Sequence, residues 1–315
     1  MTRNLMDDHA KGAMHTNIGV HMRGMPLASL FFGLVVGLFV GLLGWSLTAT
    51  ASDAASLNDG DLVQSINTKH TVVPGGIYRW TPPAGATDIR FNDRPVMRLR
   101  DQILVGIPLS QPLGSAKLTY LLSGRASSHS FSVVDKAYTE QHITLQNREM
   151  VNPNPEQLAR IREESRRQRA LYLQHSDVPP PTTGFIQPLQ GRISSLFGHR
   201  RFFNGQARNP HSGLDIAAPT GSEISAPAAG EVTLVDDLYY NGKTIFLDHG
   251  QGLITMYCHL SESLVTQGER VTQGAVIGLV GATGRVTGPH LHWSVSLNGY
   301  RVDPQSMMAE LTPDQ

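Results

Sequence analysis

Glycine cuts residues 183–309 into apolar runs too short to be helices. Gly221, Gly242, Gly250, Gly252, Gly268, Gly274, Gly281, Gly284 and Gly288 punctuate β-type runs at 230–235, 243–247, 253–257, 275–280 and 291–297. A glycine inside a helix costs about 1 kcal/mol relative to alanine, and no strong amphipathic helical period interrupts the pattern. The segment therefore reads as an antiparallel β domain of about 125 residues, large enough for its own core.

The chain has 315 residues, enough for about two domains. Apolar residues make up 40% and charged residues 17%, so a core can form and general disorder is excluded. Ahead of the glycine-rich segment, residues 53–137 alternate turn signals with short β runs at 103–107, 117–122 and 130–134. The turn signals are Val72-Val73-Pro74-Gly75-Gly76, Pro82-Pro83 and Asn92-Asp93. These features predict a small β-sandwich-like domain, and it holds no catalytic constellation. Residues 138–182 change character. Asn154-Pro155-Glu156-Gln157 reads as an N-cap, a first-turn proline and the closing glutamine of a capping box. The helix that follows carries five arginines and two glutamates, with a supporting pair at Glu163 and Arg167. Pro179-Pro180-Pro181 ends this linker. The expectation is a solvated connector helix; contact with an anionic glycan or lipid is the alternative. Residues 310–315 read as a tail. The fold class is thus mostly β: a leading apolar helix, a small β domain, a helical and Pro-rich linker, and the antiparallel β domain at 183–309.

Residues 26–47 carry no charge, a length that lets a helix cross about 30 Å of hydrocarbon. Lys11 and Arg23 precede the run, while Asp53, Asp59 and Asp61 follow it. The positive-inside rule then leaves residues 1–25 in the cytoplasm and the body outside the inner membrane. Residues 26–48 are a retained anchor or a signal segment, since Ala49-Thr50-Ala51 also fits a cleavage site. In the second case the body is secreted into the periplasm or extracytoplasmic space. Gly33, Gly37 and Gly41 share one helix face. That stripe is either ordinary membrane-helix composition or a dimerisation face.

Lys+Arg and Asp+Glu both total 26, which argues against nucleic acid as a partner. The single cysteine, Cys258, excludes an intramolecular disulfide framework and any Cys-rich metal site. Imidazole ligation stays open with 13 histidines. His290 and His292 stand two apart, on one face if their segment is a strand. His211 and Asp215 stand four apart, in a loop that leads into a predicted strand. His259 ends a third apolar run. Two imidazoles and one carboxylate meet the needs of a catalytic zinc site, which leaves a fourth position for water. No H-E-x-x-H helix and no G-x-S-x-G elbow occur. His249 reads as a turn residue and His199 as a surface one; Asn204, Arg208 and Asn209 are candidates for substrate contact. Trp293 is expected to face the core, and Cys258 to face away from His259 by strand alternation.

His211-Ser212-Gly213-Leu214-Asp215, Tyr257-Cys258-His259-Leu260-Ser261 and His290-Leu291-His292 resemble the three motifs of the lysostaphin/LytM-type zinc peptidases. Residues 226–232 and Gly281-Ala282-Thr283-Gly284 resemble that family's connecting turns, and the likeness covers about residues 185–305. Residues 141–162 resemble its membrane-tethered cell-wall members more loosely. The resemblance implies that His211, Asp215 and His292 hold one Zn2+ per chain. It implies that His259 and His290 act on the attacking water and the transition state. Where Cys258 stands the family has alanine. The activity implied is a zinc-dependent endopeptidase hydrolysing peptide cross-links or stem peptides of bacterial peptidoglycan. A rival on the same fold is a non-catalytic wall-binding or amidase-activating module, which in such families has lost metal ligands. A third reading, an enzyme held latent by residues 53–137 or the loop before His211, expects a 183–315 fragment to be the more active form.

Overall fold

The computed structural model describes residues 70–311, which are mostly β with two α-helices, Pro155–Tyr172 and Pro304–Leu311. Among the described residues no helix is long and apolar enough to cross a membrane. The apolar run at 26–48, its Gly33, Gly37 and Gly41 stripe, and most of the 310–315 tail lie outside the described residues.

Residues 70–134 build two sheets. A five-stranded sheet runs in the order Thr71–Val72, Arg125–Val133, Gly114–Leu122, Ala86–Phe91, Arg94–Pro95. A three-stranded sheet has Gln102–Gly106 between Ile77–Trp80 and Met97–Leu99. Tyr78, Phe91, Ile103, Val105, Leu118 and Phe131 form the core between them. Gln102–Gly106 is apolar from Ile103 onward, and both of its faces are covered there. Successive side chains on a strand point oppositely. Ile103 and Val105 enter this first core, while Leu104, with Met97, enters the core of the glycine-rich region. The Asn298 side chain clamps the same strand, accepting from Gly106 N–H at 2.6 Å and donating to its carbonyl at 3.2 Å.

The glycine-rich region is a ten-stranded sheet in which every pairing is antiparallel. Its main path runs Arg192–Ser195, Leu214–Ala217, His290–Leu297, Ile254–Ser263, Gly242–Asp248, Gly230–Leu238, Arg270–Val271. Leu214, Ile216, Tyr257, Leu260, Leu291, Trp293 and Val295 line its inner face. The helix Pro304–Leu311 closes that core with Met307 and Leu311. It was not expected from the sequence, although Asp303-Pro304 is a cap-and-proline start, and the Asp303 carboxylate accepts from Gln305 N–H at 3.0 Å.

The linker is docked along one side, while most of its helix stays exposed to solvent. Glu140–Ile143 pairs in parallel with Arg200–Phe203. The helix Pro155–Tyr172 carries the expected capping box on Asn154 and Gln157. Its Tyr172 is buried against Phe246, Ile254, Met256 and Cys258 on the outer face of the large sheet. Glu163 pairs with Arg166 rather than with Arg167. Arg167 reaches Asp236 at 2.7 Å, because the helix lies against the strand that carries that aspartate.

Candidate metal centre

Neighbouring strands of the large sheet bring the site together. Leu214–Ala217 and His290–Leu297 pair so that Asp215 faces His292 and Ala217 faces His290. Directly opposed residues of an antiparallel pair share a face. His211 comes from the loop ahead of Leu214–Ala217. It is fixed by its own backbone, whose N–H donates to His199 O and whose carbonyl accepts from Gly198 N–H, both at 2.8 Å. His211 Nε2 lies 3.0 Å from His292 Nδ1 and 3.0 Å from Asp215 Oδ1, and His292 Nδ1 lies 2.7 Å from Asp215 Oδ1. All three side chains are buried. Among the described residues they are the one His/Cys/Asp/Glu group close enough to share an ion.

The outward nitrogens assign the protons. His211 Nδ1 donates to the Leu196 carbonyl at 2.7 Å. Ser294 Oγ donates to the Ser212 carbonyl at 2.9 Å, so its oxygen accepts from His292 Nε2 at 2.9 Å. His211 Nε2 and His292 Nδ1 therefore turn lone pairs toward Asp215 Oδ1. Three acceptors this close repel one another unless a cation lies between them. Zinc holds such donors at about 2.0–2.2 Å in a tetrahedron, which separates them by about 3.3 Å. The donor set and its spacing fit that ion.

His259 and His290 flank the triad. The ring of His259 lies 4.8 Å from that of His290 and 6.0 Å from that of His292. Each donates from Nδ1 to a carbonyl at 2.8 Å, Thr283 for His259 and Gly288 for His290. This leaves Nε2 free to accept, and His290 Nε2 lies 3.9 Å from Asp215 Oδ1. His259 reaches this position through a bulge. Tyr257 and Leu260 both enter the inner core although they are three apart, and His259 has φ 65°. Cys258 and His259 thus lie on the same outer side, because the bulge cancels the alternation expected between them. Cys258 instead packs with Met256 and Tyr172, and its sulfur accepts from Asn241 at 3.1 Å. Trp293 is fully buried in the inner core, as its place in the strand predicts.

Gly213 has a steric duty in the first motif. A Cβ there would meet the Trp293 carbonyl oxygen at 2.5 Å and His292 Cε1 and Nε2 at 2.8 Å. The His292 ring lies where any other residue's side chain would begin.

Burial lowers His292 to about 4 against the pull of Asp215. Burial, helped by the nearby His290 and His292, lowers His259 to about 3. Both imidazoles are therefore neutral at pH 7.

Sequence reasoning missed Arg201 and Gln141. Arg201 Nη2 donates to Asp215 Oδ2 at 2.6 Å, which leaves Oδ1 to face the imidazoles. Gln141 Oε1 accepts from Arg201 Nε at 3.0 Å and from Ser195 Oγ at 3.1 Å. Ser195 Oγ in turn lies 3.1 Å from His211 Nδ1 and 3.3 Å from His199 Nδ1. No motif marks these residues; only the pairing of Glu140–Ile143 with Arg200–Phe203 brings them in. Asn204 and Arg208 grip the docked linker instead of lining the cleft. Asn204 brackets the Leu145 backbone at 2.8 and 3.1 Å, and Arg208 donates to the Val151 carbonyl at 2.8 Å. His249 is buried between the Ala229 carbonyl and Thr255. A cleft of about 280 Å³ opens beside Asp215, His259 and His290, walled by Gln141, Arg201 and Arg285.

Residues 209–304 match the profile of Peptidase family M23. A crystal structure of a candidate M23 peptidase from Pseudomonas aeruginosa is 40% identical, covers 75% of this chain and 94% of its own, and superposes with a TM-score of 0.62. The chain belongs to peptidase family M23. Within the M23 region it is 42% identical over 118 residues to the peptidoglycan DD-endopeptidase ShyC of Vibrio cholerae, covering 37% of this chain and 27% of that protein. It is also 42% identical over 123 residues to the DD-carboxypeptidase/endopeptidase Mpg of Neisseria meningitidis, covering 39% and 28%. The chain thus spans less than a third of the length of these curated relatives.

Proposed function

We propose that this M23 protein is a zinc-dependent endopeptidase that hydrolyses peptide cross-links or stem peptides of peptidoglycan. The observation that carries the reading is the convergence of His211 Nε2, His292 Nδ1 and Asp215 Oδ1, with every outward imidazole nitrogen engaged as a donor. Such a set of inward acceptors calls for a divalent cation. The substrate class is supported by relatives such as ShyC, whose name gives peptidoglycan as what it acts on.

Zinc held there would supply Lewis acidity, lowering the pKa of a water molecule and polarising a carbonyl. His211, His292 and Asp215 would hold it, with Arg201 keeping Asp215 Oδ2 occupied so that one carboxylate oxygen is offered. His259 and His290 both present Nε2 to the same space, and the His259 imidazole is neutral. One takes the proton of the attacking water; protonated, it can donate to the oxyanion or the leaving amine. The Thr283 and Gly288 carbonyls hold each ring in that tautomer. In the same reading residues 26–48 bring the body to the cell envelope, where the substrate lies.

The test joins metal content to muropeptide mass spectrometry. The wild type should bind one zinc and release cleaved stem peptides. His211→Ala and His292→Ala should lose both properties, whereas His259→Ala and His290→Ala should keep the metal and lose turnover. Metal loss in His290→Ala with retention in His292→Ala would reverse the assignment. Neither bound zinc nor cleaved product in the wild type would favour the wall-binding module.

A further inference from the structure

Arg285 stands at the edge of the proposed centre with no acidic partner among the described residues. Its guanidinium carbon lies 4.4 Å over the Phe203 ring and 4.1 Å over the Tyr240 ring. Its backbone N–H donates to the Tyr240 carbonyl at 2.9 Å. Its one hydrogen bond from the side chain, Nη1 to the Met150 carbonyl, is 3.5 Å long, at the limit of such a bond. Contacts with ring faces orient a guanidinium but use none of its five N–H donors. The charged groups that bear on it are Arg201 and Arg208, both of its own sign, together with the hydroxyls of Tyr239 and Tyr240. Burial lowers its pKa to about 10, so it remains a cation at neutral pH.

Arg285 lines the same cleft as His259 and His290, and Arg192 and Arg201 line it too. Arg201 is committed to Asp215 at 2.6 Å. Among the described residues, Asp215 is the single acidic side chain in the cleft wall. A rigidly held, half-buried guanidinium with idle donors is built to receive a carboxylate, which it can bind through two parallel hydrogen bonds.

We propose that Arg285 is a specificity-determining residue that receives a free carboxylate carried by the substrate beside the scissile amide. This rests on the peptidase reading and deepens it: the substrate is an anionic peptide. Two sources offer that chemistry, a chain-terminal carboxylate and the unlinked carboxylate of a cross-linking diamino acid.

The test uses the zinc-loaded full chain and two series of synthetic peptides. Each series shares one scissile amide and carries the adjacent carboxylate either free or as a carboxamide; the group is terminal in one series and on a diamino acid in the other. Binding and kcat/KM are measured for wild type, Arg285→Gln and Arg285→Lys. Wild type should favour the free carboxylate by about 10- to 100-fold, the range of a charge-assisted hydrogen bond. The series that shows the preference identifies the source. In Arg285→Gln the ratio should collapse to within about threefold of unity, and Arg285→Lys should restore part of it. A ratio equal in wild type and Arg285→Gln, even with both rates lowered, assigns Arg285 a merely structural role and overturns the proposal, as does a wild type without preference. Should no peptide be cut, the peptidase reading fails while the binding ratio still decides the role of Arg285.

Discussion

Replacing Gly213 by alanine adds one methyl group in the first motif and should dismantle the metal centre. The added carbon would lie 2.5 Å from the Trp293 carbonyl oxygen and 2.8 Å from His292 Cε1 and Nε2, whereas ordinary contact begins at 3.4 Å. The carbonyl belongs to a central strand paired on both sides, so it cannot retreat without breaking the pairing of Leu214 with Trp293. The imidazole must give way, by about 0.6 Å, some three times the ±0.2 Å tolerance of a metal–ligand distance. The same tilt strains the 2.9 Å bond from His292 Nε2 to Ser294. Zinc affinity should fall by at least the 10- to 100-fold seen when outer-shell support is lost, and turnover by about 100-fold or more. Overpacking of this kind costs about 1–3 kcal/mol of stability. Chelator competition gives the affinity, peptide hydrolysis the rate, and circular dichroism the fold. A Gly213→Ala protein that binds one zinc at wild-type affinity and cleaves normally would refute the steric account of the motif.

Two further outcomes follow from neighbours of the centre and of the inner core. Ser294→Ala removes the acceptor that fixes the His292 tautomer; zinc affinity should drop about 10- to 100-fold, and an unchanged affinity would show that the tautomer is set elsewhere. His249 is buried, and burial lowers its pKa to about 4, below the ~6.5 of the unfolded chain. Between those values the unfolded state binds more protons, so stability from neutral His249 is full above about pH 6.5 and drains away as pH falls toward 4. The loss is on the order of 3 kcal/mol. Urea unfolding of wild type and His249→Gln should therefore give a stability difference that shrinks between pH 7 and 4.5; a difference independent of pH would contradict the argument.

The histidine cluster was legible because its spacing matches strand geometry, whereas the choice of His211, Asp215 and His292 as candidate metal donors rested on the resemblance of the three motifs. A two-residue step sets His290 and His292 on one face, and a paired register needs only one carboxylate opposite. His259 was legible as a member of the group but not in its conformation, since a bulge is a property of pairing between strands. Arg201 and Gln141 come from segments about 60 residues apart in sequence and meet through a short parallel pairing that no local pattern announces. The helix Pro304–Leu311 was signalled by Asp303-Pro304, yet its eight residues are too few for a periodic pattern to stand out. The linker helix was recognised from its cap, but its docking rests on Tyr172, the buried Glu164 and Arg167, whose partners lie in a distant strand and the turn after it.

Gln102–Gly106 belongs to two interiors at once, and that makes the amino-terminal sheets inseparable from the peptidase. Cutting the chain at residue 183 would strip Met97 and Leu104 from the inner core and uncover the apolar floor beneath them. A 183–315 fragment should then be sticky and short-lived rather than unleashed.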